Sequence, residues 1–78
     1  MQSISPMISH VSINACLRDE ANRAIVALNS GLILPVVAES IFEALIGIAE
    51  QLQLPIRQRL HVRLVAIRNH IEVSGVLL

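Results

Sequence analysis

Between residues 35 and 52 the chain carries two apolar series that interlock at helical spacing. Val37, Ile41, Ala44, Leu45, Ile48 and Leu52 form one, and Ala38, Phe42, Ile46 and Ala49 form the other. At about 100° per residue the two merge into an arc of roughly 200°. Glu39, Ser40, Glu43, Gly47, Glu50 and Gln51 occupy the rest of the circumference. A helix on the surface of a globular domain shows an apolar stripe of about 100° or a little more. A helix apolar over twice that width has to be covered from two sides.

The flanking sequence supplies a helix before it and a helix after it. Leu17, Ala21, Ala24, Ile25 and Leu28 recur on one face of a helix expected over residues 14–29. Asn14 is suited to cap its start, Asp19 is placed to pair with Arg23, and Asn29-Ser30-Gly31 is a stop signal. Pro35 fits the first turn of the second helix, expected over residues 35–53. Leu54-Pro55 breaks the chain, because the residue before proline avoids helical geometry. A third helix then follows over residues 55–73, with Ile56, Leu60, Leu64, Ile67 and Ile71 on one face. Ser74-Gly75 is expected to end it, leaving an apolar tail.

These elements predict an all-α fold in one domain over residues 14–78. The second helix is central and forms an antiparallel hairpin with the third, behind an irregular N-terminal arm over residues 1–13. No internal repeat or linker divides the chain.

Composition adds the expectation of a partner. A domain of 78 residues buries a modest core and usually needs a disulfide, a metal or another chain to support it. Cys16 is the only cysteine, which excludes an internal disulfide. Cys16, His10, His61 and His70 fall in none of the spacings of a zinc site. A partner is what remains, and 54% apolar residues with 15% charged is rich for a small monomer. The first series on the second helix is expected to face its own domain. Phe42, Ile46 and Ala49, with Val62, Ala66 and Val73 on the third helix, are expected to meet a second copy or another protein.

Catalysis has little support. A nucleophile needs a base within reach, and no spacing brings Cys16 to a histidine; it reads as a small buried hydrophobe. Glu39 and Glu43 lie one turn apart, a spacing that serves metals, but without a Glu-x-x-His companion they read as a solvated acidic face. The expected catalytic, metal and cofactor complement is therefore none.

Net charge is zero, but it is segregated. The second helix holds three glutamates and no base, whereas the third holds Arg57, Arg59, Arg63 and Arg68 against Glu72. All six basic residues are arginine, the side chain best suited to planar, bidentate contacts. Weak attraction between the rims of a hairpin explains this pattern; an acidic partner or a phosphate backbone is the functional alternative.

The expected function is a small non-enzymatic protein–protein interaction module, a homodimeric regulator or adaptor. The alternative is a DNA-binding transcriptional regulator with a helix-turn-helix-like segment around residues 44–68. Arg57, Arg59 and Arg63 would then lie on its recognition helix. Arg59 opposes that reading, because it stands where the motif needs an inward apolar residue. The longest candidate for a membrane span, the uncharged residues 24–38, falls short of the roughly 18–20 residues required. The N-terminus lacks a basic region followed by an apolar run. A cytoplasmic protein is expected.

Overall fold

In the computed structural model, which describes residues 10–77 and the side chains of residues 12–71, the chain forms three helices and, among the described residues, no strand. They are α1 (His10–Asn29), α2 (Pro35–Gln51) and α3 (Ile56–Leu77). The pairing of α2 with α3 is antiparallel. Glu39 near the start of α2 reaches Arg68 far along α3, while Glu50 at the end of α2 lies beside His61 near the start of α3. The two helices therefore run side by side over most of α2. The long hairpin matches expectation, and it differs from a helix-turn-helix, whose helices cross at about 90–120°.

Two boundaries differ from those expected. Residues 10–13 belong to α1, so Asn14 sits inside the helix rather than capping it, with its side-chain oxygen buried and without a partner. Continuing the helix brings Ile13 against the core. Burying such a side chain fully is worth about 1.5–3 kcal/mol, against about 1 kcal/mol for a cap. The expected arm thus loses its last four residues to α1, and residues 1–9 lie outside the described residues. At the other end α3 continues through Ser74 and Gly75 to Leu77. A glycine inside a helix costs only about 1 kcal/mol relative to alanine, so Ser-Gly does not by itself force a stop.

Both connections are Schellman turns. After α1, Leu32 N–H donates to the Ala27 carbonyl at 2.8 Å and Gly31 N–H to that of Leu28 at 3.1 Å, with Gly31 at φ 77°. After α2, Leu54 N–H donates to the Ala49 carbonyl at 2.8 Å and Gln53 N–H to that of Glu50 at 3.2 Å, with Gln53 at φ 55°. In both cases a leucine and a proline then lead into the next helix.

The core is a single apolar cluster drawn from all three helices and the second turn. Leu17, Ala21 and Ala24 come from α1, and Ile56, Leu60, Leu64 and Ile67 from α3, as their spacing indicates. From α2 the core takes Ala38, Phe42, Leu45, Ile46 and Ala49. Apart from Leu45, which stays inward, this reverses the expected order of the two series. Phe42 and Ala49 are completely buried, whereas Val37, Ala44, Ile48 and Leu52 face outward and Ile41 is half-buried. An arc of 200° leaves open which half turns inward. The Ala38–Phe42–Ala49 half wins because small residues let neighbouring helices approach, and because the aromatic ring buries the most area.

Candidate interaction surfaces

The outward half of α2 is the clearest surface feature. Val37, Ala44, Ile48 and Leu52, with the edge of Ile41, follow one another at helical spacing over about 22 Å, taking 1.5 Å per residue. Val37 is 41% and Ile48 44% exposed. At 100° per residue this strip lies opposite Glu39 and Glu43, the residues that reach α3. Beside the strip, the Ser40 hydroxyl turns back and donates to the Val36 carbonyl at 3.1 Å, and the strip's own residues carry no charge.

The expected interface residues separate into three environments. Phe42, Ile46 and Ala49 are buried in the core of the chain's own fold and present no surface to a partner. Val62 is 71% exposed on the side of α3 away from the core, close in register to Val65, which is also exposed. Ala66 is exposed and lines a groove between α1 and α3. The Val73 side chain lies outside the described residues. The structure therefore does not gather the six into one patch. Val65 could have been found from the sequence, since it stands three residues beyond Val62 and one turn away.

The two polar flanks of α3 face different helices. On one flank Arg68 donates from Nε to Glu39 at 2.8 Å and from Nη2 to Glu43 at 2.6 Å. The hydrogen bond to Glu39, followed by that to Glu43, raises the pKa of the Arg68 guanidinium above its ordinary value. His61 lies 3.8 Å from Glu50 on the same flank. On the other flank Arg63 donates from Nη1 to the Asn22 side-chain oxygen of α1 at 2.7 Å. Arg57 and Arg59 make no side-chain hydrogen bond or ion pair among the described residues. The four arginines thus do not form one basic face: Arg68 is neutralised by carboxylates, Arg63 is held by an amide, and Arg57 and Arg59 remain open to solvent.

Two smaller readings change. Arg23 pairs with Glu20 at 3.1 Å rather than with Asp19, which lies 3.8 Å from Arg18. Cys16 is exposed, not buried, because α1 is rotated to place Leu17 and Ala21 in the core. Among the described residues no three His, Cys, Asp or Glu side chains cluster to hold a metal, and no helix is long and apolar enough to cross a membrane.

Compared with protein-family models, with curated proteins and with solved structures, the chain matches none.

Proposed function

We propose that the chain is a small non-enzymatic interaction module, acting as a regulator or adaptor, that associates with a second copy of itself through the outward strip of α2. The observation that carries this reading is the uncharged strip over Val37, Ile41, Ala44, Ile48 and Leu52 on an otherwise complete helix.

Its spacing suits a two-fold interface. When two copies of α2 cross antiparallel about a point just after Ala44, Val37 faces the partner's Leu52 and Ile41 faces the partner's Ile48. Ala44 then meets its own counterpart near the axis. Large side chains lie at both ends and a small one at the centre, where the helices come closest. An isologous interface sets residues near its two-fold axis against their own twins, so a charge at the centre would meet its like. The strip has none, and the glutamates of α2 lie on the opposite side. Burial of apolar surface at about 25 cal/mol per Å² is the driving force.

Light scattering on the purified chain tests the proposal. A dimer is expected at micromolar concentration. Ala44→Glu and Ile48→Glu, each on an exposed position, are expected to give monomers with unchanged helix content. A wild-type chain that stays monomeric at several hundred micromolar overturns the reading. The DNA-binding alternative rests on Arg57 and Arg59 and predicts binding that collapses steeply with salt in a gel shift; absence of binding at low salt removes it.

A further inference from the structure

The sparsest of the three helix pairings is that of α1 with α3, and along it a groove of about 800 Å³ opens to solvent. That volume lies within the range of about 300–1,000 Å³ common for sites that take small ligands. Ile67, buried in the core, and the half-buried Ile25 and Leu28 supply its apolar floor. Ala66 on the α3 wall is small enough to leave the groove open. None of the residues of the α2 strip lines it.

The charge in this groove is one-sided. Arg63 and His70 line it, together with Asn22 and Asn29, and among the described residues no acidic side chain does. Arg63 uses one donor on the neutral oxygen of Asn22, out of five that a guanidinium carries. Its charge is therefore positioned without being neutralised. Arg68, whose guanidinium is committed to two carboxylates, shows what a satisfied arginine looks like in the same helix. Arg63 and His70 stand seven residues apart on one face, about 10 Å along α3 at 1.5 Å per residue. Between them runs the apolar floor.

We infer that the groove between α1 and α3 binds a single-chain amphiphile with a carboxylate head, a medium-chain fatty carboxylate. Arg63, oriented by Asn22, holds the head in a charge-assisted hydrogen bond. The alkyl chain lies past Ala66 on Ile25 and Ile67, with His70 at the far end. The site does not depend on association through α2.

Calorimetric titration of the whole chain with decanoate, decanol and decyltrimethylammonium, each below its aggregation threshold, tests this. Decanoate is expected to bind saturably at one site, at least tenfold more tightly than decanol, and the cationic amphiphile more weakly still. Arg63→Gln is expected to weaken decanoate at least tenfold and to leave decanol unchanged. Ala66→Trp, on an exposed position, fills the groove and is expected to abolish both. Methyl NMR of the wild-type chain should place the decanoate-induced shifts at Ile25 and Ile67. Equal affinities for decanoate and decanol overturn the inference, as does an Arg63→Gln variant that binds decanoate like the wild type. Shifts confined to Val37 and Ile48 overturn it too, since they put the ligand on the α2 strip, and so does the absence of binding.

Discussion

The turns after α1 and α2 are built to the same backbone plan and held by opposite means. The first has glycine at its left-handed position, where no Cβ is strained, and the leucine that follows it, Leu32, is 79% exposed. The second has Gln53 at that position, which costs a non-glycine residue roughly 1–2 kcal/mol. Its following leucine, Leu54, is only 1% exposed. Burying a leucine contributes about 1.5–3 kcal/mol, enough to offset the strained backbone. One turn is therefore closed locally by backbone freedom, and the other by tertiary packing that overrides a poor local choice.

The largest test of this difference is truncation of the two leucines. Leu54→Ala should destabilise by about 2–5 kcal/mol, as cavity-forming core substitutions do. Leu32→Ala should stay within about 0.5 kcal/mol. Denaturant midpoints measure both, and equal losses would break the comparison. Next in size is exchange at the left-handed positions. Gly31→Ala should cost about 1–2 kcal/mol by imposing a Cβ at φ 77°. Gln53→Gly should instead stabilise, by about 0.5–1 kcal/mol, because relief of strain exceeds the added freedom of the unfolded chain. A destabilised Gln53→Gly would show that the glutamine side chain contributes something beyond its backbone.

The smallest effect concerns Arg68, which joins α2 and α3 well away from the turn at Gln53. Its pKa is raised in the folded state. The stability it contributes is fully present below the unfolded value and is lost only as pH rises through the folded one, in strong alkali. No slope in stability between pH 6 and pH 9 should therefore change when Arg68 is replaced by Gln. Arg68 and Glu43 are about half exposed and Glu39 about a quarter, so solvent screens the contacts and the same replacement should lower the melting temperature slightly in low salt and less in 1 M salt. A loss as large as that of Leu54→Ala would mean that the ion pairs, rather than the buried turn, hold the hairpin.

The three helices were legible because their cues are local. Pro35 and Pro55 start helices by fixing φ, Gly31 marks a stop, and the series from Ile56 to Ile67 has a single apolar face that admits one orientation. The candidate surface on α2 was legible only as a pair of options. Both apolar series were visible and both keep helical spacing, but nothing within α2 says which one its neighbours will cover. The groove between α1 and α3 left no signal at all: Asn22 and Arg63 are distant in sequence, and Arg63 alone resembles any other arginine on an Arg-rich helix.

The sequence by itself determined three helices, their approximate ends and the need for α2 to be covered on more than one side, since periodicity and turn chemistry act over a few residues. Only the tertiary structure decided that Phe42 and Ala49 turn inward while Val37 and Ile48 turn out, that Gln53 accepts a left-handed backbone, and that Arg63 meets a neutral amide while Arg68 pairs with Glu39 and Glu43. Each of these depends on which side chains from separate helices meet, where close packing and charge pairing outweigh local preferences of about 1 kcal/mol.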